Sequence, residues 1–272
     1  MTGGPRVADL YSVQDLHLSL ADMTAKPLMG AAPLIDILHG LTFTIPKGAV
    51  VGIVGGSGSG KSTLGRALVR LLEPSGGRIL FDGTDITHLP EAALRPLRRR
   101  FQMIFQDPMS SLNPRHRVGT IIAEPLRLHG FDSLPDRVAR ALDQVGLPRT
   151  FAARYPHELS GGQRQRVGIA RAIALEPDFI LADEIVSGLD VSSQAQVLNL
   201  LEQLVRDLGL TLAFISHDLS VIRRLCQRTI VLYRGKIVED RPTADLFADP
   251  RAAYTRELLD AIPLPDPAQP WV

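Results

Sequence analysis

The sequence has 272 residues, of which 45% are apolar, and its 30 basic side chains nearly balance its 29 acidic ones. This apolar content is enough for one large buried core, and the balanced charge gives no reason to expect a nucleic acid or an anionic membrane surface as partner. The single cysteine, Cys226, excludes an internal disulfide and a cysteine-ligated metal centre, and it is expected to be a small buried apolar residue.

Antiparallel strands are the first predicted elements. Aspartates interrupt the opening stretch, which therefore lacks the continuous apolar core of a secretory signal. Leu16, Leu18 and Leu20 alternate with polar residues, a pattern typical of a half-buried strand, which we place at a sheet edge. A second strand passes through Leu41 and Phe43 and ends at a turn that begins at residue 46.

The next predicted strand, residues 49–54, is of a different kind. It is apolar on both faces, as a central parallel strand covered by helices must be. A glycine-rich loop follows it, and then a helix from about Lys61 to Leu72. No stretch approaches the roughly 18 consecutive apolar residues needed to cross a bilayer, so any membrane-spanning part should belong to another chain.

Helices and strands alternate in the second half of the chain. Residues 94–174 show helical spacing and read as an inserted helical subdomain. Buried strands at Phe179–Ala182 and Thr211–Ile215 flank an amphipathic helix, which indicates a parallel sheet. A short hairpin turns at Arg234-Gly235 before a proline-containing tail.

A phosphate-binding loop is predicted between the strand at 49–54 and the helix after it. It fits the pattern G-x-x-x-x-G-K-S/T and consists of Gly55, Gly56, Ser57, Gly58, Ser59, Gly60, Lys61 and Ser62. The glycines let successive N–H groups point at a phosphate, Lys61 should reach the β and γ phosphates of ATP, and Ser62 should ligate Mg²⁺. Thr63 should add a phosphate contact. The alternative is a flexible glycine and serine turn, which the flanking strand and helix disfavour.

Two carboxylates, Asp183 and Glu184, follow the strand that begins at Phe179. The carboxyl ends of parallel strands are where α/β sheets place their ligands. Asp183 could hold Mg²⁺ through water, and Glu184 could orient or deprotonate the water that attacks the γ phosphate. Without the phosphate loop upstream, the pair could equally be a helix cap or solvated charge.

A second anion site is predicted at Leu159-Ser160-Gly161-Gly162-Gln163, which precedes a helix whose start would present a hydroxyl and free amides. Because the chain already has one phosphate loop, this segment, the signature turn, would serve the nucleotide of another subunit. Taken alone, it would be only a loop.

The signature turn between a phosphate loop and an Asp-Glu strand resembles the signature of ABC ATPases, and the resemblance covers nearly the whole chain. It implies an α/β fold of the P-loop NTPase (RecA-like) class, with a parallel sheet core, an N-terminal antiparallel β-subdomain and an inserted helical subdomain. Within a single domain 1–272, residues 1–93 and 176–240 would form the nucleotide-binding core with its β-subdomain. Residues 94–175 would form the helical subdomain and 241–272 the tail.

The resemblance also assigns roles. It implies a head-to-tail dimer with a second ABC ATPase, identical or related, in which Ser160, Gly161, Gly162 and Gln163 contact ATP in trans. Gln106 would touch Mg²⁺ and couple the nucleotide to the membrane subunits, and His217 would contact the γ phosphate. The loop at residues 187–190 is similar to the one that bridges the two active sites.

Two stretches point to a branch of the family. Residues 105–115 and the tail at Tyr254–Leu259 are similar to the ATPases of oligopeptide, dipeptide and nickel importers. Such importers imply two transmembrane permease subunits, a second ATPase and an extracytoplasmic solute-binding protein, with this chain at the cytoplasmic face of the cell membrane. The cysteine cluster that some members carry is absent from this sequence.

Four features depart from the family pattern. Gly56 replaces a common acidic residue, Ile185 replaces a proline and Gly188 replaces an alanine. No aromatic residue lies between Leu20 and Phe43, where a ring usually stacks on adenine, so the adenine contact is not assigned.

Other functions would fit the same ATPase motifs. A soluble ABC ATPase acting on nucleic acid or in protein assembly is one, although no long basic arm or coiled coil supports it. The arginine cluster Arg95, Arg98, Arg99 and Arg100 reads as a solvated helical face rather than as a nucleic-acid site. A non-hydrolysing subunit conflicts with the presence of Lys61, Glu184 and His217.

Overall fold

The computed structural model describes residues 8–22, 30 and 32–261. The strands are β1 (Asp9–Ala21), β2 (Leu34–Pro46), β3 (Val50–Val54), β4 (Gly76–Phe81), β5 (Thr84–Asp85), β6 (Phe101–Ile104), β7 (Phe179–Asp183), β8 (Thr211–Ile215), β9 (Arg228–Tyr233) and β10 (Lys236–Pro242). The helices are α1 (Lys61–Leu68), α2 (Glu91–Arg98), α3 (Pro108–Ser111), α4 (Val118–Leu128), α5 (Leu134–Gln144), α6 (Gly161–Ile173), α7 (Val191–Leu208), α8 (Leu219–Leu225), α9 (Thr243–Ala248) and α10 (Ala253–Asp260).

A six-stranded sheet forms the centre of the molecule. Its strand order is β10-β9-β3-β8-β7-β6, and all neighbours pair in parallel except the hairpin of β9 and β10. Every residue of β3, β7 and β8 is buried, because helices cover one face and a second sheet covers the other. The parallel sheet predicted from the alternation of strands and helices is confirmed.

The second sheet is antiparallel and has the order β2-β1-β4-β5. The prediction that the chain opens with antiparallel structure is confirmed, but the placement of the first strand at a sheet edge is wrong. β1 pairs with β2 on one side and with β4 on the other. Residues 76–81 begin with two glycines, which give a weak strand pattern in the sequence, and their pairing with β1 makes β1 internal.

Two apolar cores lie on the two faces of the central sheet. Val51 and Ile53 of β3 pack with the antiparallel sheet and α1, whereas Val50 and Val54 pack with the helices on the other face. The period of two in a strand explains this division, because successive side chains point to opposite faces. Cys226 is 6% exposed and lies in the helical core, as predicted.

Two boundaries differ from the sequence prediction. The stretch 94–175, predicted as helical, contains β6, which pairs with β7 as the outer strand of the central sheet. Helix α1 ends at Leu68, not at about Leu72, because Arg70 takes a left-handed conformation with φ of 52°. The Arg70 guanidinium then donates to the carbonyl of Ile86 at 2.7 Å, which holds this turn against the neighbouring loop.

None of the helices within the described ranges combines the length and the apolarity needed to span a bilayer.

Candidate active site

The predicted catalytic side chains meet at the carboxyl edge of the central sheet. The phosphate loop leaves β3, Asp183 ends β7 and Glu184 follows it, and His217 lies shortly after β8, the strand between β3 and β7. Because parallel strands all end at the same edge, residues far apart in sequence become neighbours there. The fourth element at this edge is the segment after β6, which carries Gln106.

The phosphate loop is shaped by glycines and closed by Lys61. A side chain at Gly55 would put its Cβ 2.2 Å from the carbonyl oxygen of Leu232, so only glycine fits there. Lys61 Nζ donates to the carbonyls of Gly55 at 2.8 Å and Gly56 at 2.9 Å. Helix α1 starts after Gly60, at φ of 101°, without any side-chain cap. Its first N–H groups are therefore open to an external anion.

Lys61 is an unusually buried cation, with 7% of the residue exposed. Burial lowers the pKa of its ammonium group, and the nearby carboxylates of Glu184 and Asp183 oppose that shift. The hydroxyl of Ser59, at 5% exposure, has no hydrogen-bond partner among the described residues. A bound phosphate group would neutralise this buried cation and accept a hydrogen bond from this unsatisfied hydroxyl.

The geometry also fits a divalent cation beside the phosphate loop. Ser62 Oγ donates to Asp183 Oδ1 at 3.1 Å, which brings two oxygen atoms together. Burial raises the pKa of Asp183, and the hydrogen bond from Ser62 only partly offsets it. A desolvated carboxylate paired with a hydroxyl is a donor set that Mg²⁺ prefers, and the cation would compensate the charge of Asp183.

Glu184 lies at the centre of the site and receives contacts from two sides. Its Oε2 accepts a hydrogen bond from Gln106 Nε2 at 3.1 Å and lies 3.4 Å from His217 Nδ1. Its side chain is 18% exposed, whereas that of His217 is 63% exposed. Glu184 has a φ of 49°, the left-handed conformation that non-glycine residues rarely adopt and that occurs preferentially at functional sites.

The signature turn is folded on itself and does not join this cluster. Ser160 Oγ accepts from the N–H of Gln163 at 3.3 Å, and Gln163 Oε1 accepts from the N–H of Ser160 at 3.0 Å. This capping box satisfies two of the groups at the start of α6. The prediction of free amides is therefore only partly right, because the N–H of Gln163 is already occupied. No hydrogen bond among the described residues connects the turn to the phosphate loop.

The signature turn contacts the loop at residues 187–190 and the helix that this loop starts. A Cβ on Gly162 would lie 3.2 Å from Ser193 Oγ, so a side chain there would press against α7. Asp190 caps α7 by accepting from the N–H of Ser193 at 2.9 Å. The two segments that the family resemblance places at the dimer contact are thus neighbours within one chain.

The departures from the family pattern have structural explanations. Ile185 is 1% exposed and packs in the helical core. Gly188 has a φ of 77°, which suits glycine and would strain an alanine. At Gly56 an added Cβ would lie 2.9 Å from the hydroxyl of Tyr254, which fills the space that a side chain would need. Sequence reasoning used Tyr254 only to choose a family branch and missed its contact with the phosphate loop.

Part of the region expected to hold an adenine contact, residues 23–29 and 31, lies outside the described residues.

Comparison with known proteins agrees with this geometry. Residues 38–187 match the ABC transporter family, and they include the phosphate loop, Gln106, the signature turn and both carboxylates. The chain belongs to the ABC transporter family. This ABC chain is 54% identical to a Brucella ovis protein named for peptide import and ATP binding, over 89% of this chain and 78% of that one. It is 50% identical to the oligopeptide transport ATP-binding protein AppF of Bacillus subtilis, over 85% and 71% of the two chains.

A solved structure matches the fold of this ABC chain. The dimeric, post-hydrolysis ATP-binding cassette MJ0796 with bound ADP and phosphate has a TM-score of 0.74 and 29% identity, over 86% of this chain and 98% of that one. The predicted P-loop NTPase fold is confirmed, and the chain is an ATPase of the ABC transporter type. The relatives offer no support for the alternative of an ATPase acting on nucleic acid.

Proposed function

We propose that this chain hydrolyses ATP to drive an ABC importer for peptides or related small solutes. The observation that carries the proposal is the position of Glu184, whose carboxylate is held between Gln106 and His217 beside the pair of Ser62 and Asp183. Names such as peptide import and oligopeptide transport among proteins at least 50% identical support the solute class. The particular solute would be selected by other subunits.

The proposed reaction assigns a role to each residue of the site. The amides of the phosphate loop and Lys61 bind the phosphates of ATP, with Thr63 as a further contact. Ser62, Asp183 and Gln106 would hold Mg²⁺, which supplies positive charge beside the phosphates when it is bound. Glu184 accepts a proton from the attacking water at Oε2, while Gln106 and His217 keep that oxygen in place. The His217 ring, being mostly exposed, is free to contact the γ phosphate.

The signature turn would act on the ATP of a partner. The signature turn lies far along the chain from the phosphate loop. The capping box presents its residues at the start of a 13-residue helix, and these residues are Ser160, Gly161, Gly162 and Gln163. In a head-to-tail dimer each ATP would lie between one phosphate loop and the other subunit's signature turn. The dimeric form of the cassette MJ0796 supports this arrangement. The second subunit would be a copy of this chain or a related ATPase.

A groove next to Gln106 is the proposed docking site for a permease subunit. It has a volume of about 470 Å³, and both apolar and polar side chains line it. The apolar ones include Leu71 after α1, Phe101 and Phe105 in and after β6, and Ile121 of α4. Leu71 is 49% exposed and Phe105 is 36% exposed, so this one groove presents two large apolar side chains to a partner. Phe105 directly precedes Gln106, so a permease segment bound here would be coupled to the nucleotide site.

The full assembly would contain two transmembrane permease subunits and two ATPase subunits at the cytoplasmic face of the cell membrane. An extracytoplasmic solute-binding protein would deliver the solute. Nucleic acid is not part of this proposal, and two of the four arginines in the cluster are engaged in ion pairs within the chain. Arg98 binds Glu91 at 2.7 Å, and Arg100 bridges Asp82 and Asp178.

Co-purification tests the assembly directly. The tagged chain is recovered from gently solubilised membranes of its host, and its companions are identified by mass spectrometry. The proposal expects two multi-spanning proteins and an ATPase, together with a binding protein in some preparations. A Phe105→Asp variant serves as the matched control, because a charge in the groove should release the permeases while ATP binding persists. Recovery only from the soluble fraction, with nucleic acid or assembly factors, would contradict transport and leave the ATPase chemistry standing.

A further inference from the structure

The phosphate loop has a contact that lies far along the chain. The hydroxyl of Tyr254, on α10, accepts a hydrogen bond from the N–H of Gly56 at 2.7 Å, across 198 residues of sequence. The Tyr254 ring packs on the ring of Tyr233, with centroids 4.1 Å apart. Tyr233 ends β9, the strand next to β3, so the ring pair is built on the central sheet itself. The tyrosine is therefore held rigidly against the loop.

The helix that carries Tyr254 is anchored to the sheet by a buried carboxylate. Glu239 of β10 is 6% exposed and accepts hydrogen bonds from the N–H groups of Arg251 and Ala252, both at 3.0 Å. Burial of Glu239 opposes its ionisation, but these two backbone donors, together with neighbouring side-chain donors, lower its pKa. The start of α10 is thus fixed at the position from which Tyr254 reaches the loop.

Gly56 is shaped to receive this hydroxyl. Its backbone does not adopt a positive φ, so a larger residue would be conformationally acceptable there. The obstacle is spatial, because an added Cβ would lie 2.9 Å from the Tyr254 oxygen. The carbonyl of the same residue accepts from Lys61 Nζ at 2.9 Å. Gly56 is therefore hydrogen-bonded to Tyr254 through its N–H and to Lys61 through its carbonyl.

We propose that Tyr254 is a positioning residue for the phosphate loop, and that α10 thereby sets the affinity of the chain for ATP. When ATP binds, Lys61 has to leave the two loop carbonyls to reach the phosphates. Tyr254 is then the side chain that keeps Gly56 in place. This inference rests on the proposed role of the loop in binding ATP.

The test compares Tyr254→Phe, which removes the hydroxyl and keeps the ring, with wild type and with Tyr233→Phe. The Tyr233 hydroxyl has no hydrogen bond among the described residues, so its removal is the matched control. Dissociation constants for ATP are measured on the full chain, together with KM and kcat of hydrolysis. Loss of one hydrogen bond should weaken ATP binding and raise KM by roughly threefold to tenfold in Tyr254→Phe. The value of kcat should stay close to that of wild type, and Tyr233→Phe should bind ATP normally.

A double substitution isolates the contact itself. The methyl group of Gly56→Ala displaces the Tyr254 oxygen, so Gly56→Ala and Tyr254→Phe break the same hydrogen bond. The combined variant should therefore bind ATP about as weakly as either single variant. Wild-type affinity in Tyr254→Phe, or independent losses that multiply in the double variant, would overturn the inference while the ATPase assignment stands. A wild-type chain that does not bind ATP would overturn the proposed function as well.

Discussion

Two helices of this chain begin with a motif suited to an anion, and they are prepared for it in different ways. Helix α1 starts at a left-handed glycine with no side-chain cap, behind a loop that holds a buried lysine. Helix α6 starts at Ser160, whose hydroxyl and whose partner Gln163 close a capping box. The start of α1 is thus incomplete within one chain, whereas the start of α6 is stable by itself.

The difference indicates which motif binds ATP in the single chain and which motif contacts the ATP of a partner subunit only in the dimer. An uncapped start leaves several N–H groups unsatisfied, and a bound phosphate would satisfy them. A capped start needs no ligand to be ordered, so it can be presented as a rigid surface to a partner's nucleotide. ATP should therefore bind first at the phosphate loop, and the signature turn should matter only once two subunits meet.

The largest expected effect comes from Glu184→Gln on the α1 side. The amide keeps the size of the side chain but cannot accept a proton from water, so hydrolysis should fall about a hundredfold or more. ATP binding by the isolated chain should persist, because the phosphate loop is unchanged. Phosphate release and ATP binding are measured on the same preparation. Normal turnover by this variant would remove Glu184 from its proposed role.

Two side chains contact Glu184 Oε2, and each should contribute to the rate of hydrolysis. Gln106 Nε2 makes the shorter contact and His217 Nδ1 the longer one. Replacing either residue by alanine should slow hydrolysis by roughly tenfold to a hundredfold without abolishing ATP binding. Rates and ATP affinities are compared for both variants. Equal rates in wild type and in His217→Ala would mean that the 3.4 Å contact has no catalytic consequence.

Ser160→Ala tests the other side of the comparison. Loss of the cap should destabilise the protein by about 1 kcal/mol, and it should slow hydrolysis in the dimer while the isolated chain binds ATP with unchanged affinity. Ser193→Ala is a useful control, because it removes a hydroxyl from the start of the neighbouring helix α7. A loss of ATP affinity in monomeric Ser160→Ala would contradict the account, in which the phosphate loop alone binds ATP in the single chain.

The smallest expected effect concerns a contact away from both helix starts. Hydrogen bonds from Arg100 and Lys47 lower the pKa of Asp82. A lowered pKa stabilises the folded state above the unfolded-state pKa of aspartate, and this stabilisation is lost as the pH falls through the folded-state pKa. Asp82→Asn should cost about 1 kcal/mol near neutral pH and much less in acid, with hydrolysis unchanged. Urea unfolding of wild type and Asp82→Asn, at neutral and at acidic pH, measures the difference in the free energy of unfolding.

Sequence reasoning predicted the phosphate loop, Asp183, Glu184 and the central strands because each is signalled by residues adjacent in the chain. It placed β1 at an edge because β4, which pairs with β1 in the antiparallel sheet, begins with glycines and gives a weak strand pattern. It put β6 among helices since four residues are too few to show a period. Tyr254 was missed as a site residue because its partner, Gly56, lies 198 residues away and no local pattern links them.

A complementation experiment tests the central claim most directly. Lys61→Ala and a variant with a blocked signature turn, Ser160→Arg, are purified separately and then mixed. If ATP lies between the phosphate loop of one chain and the signature turn of another, mixed dimers contain one intact site, and equal mixing should restore about a quarter of wild-type hydrolysis. If both motifs act within one chain, each chain in the mixture is still defective. The mixture would then be as inactive as its components although wild-type dimers of this chain hydrolyse ATP, and the account would be wrong.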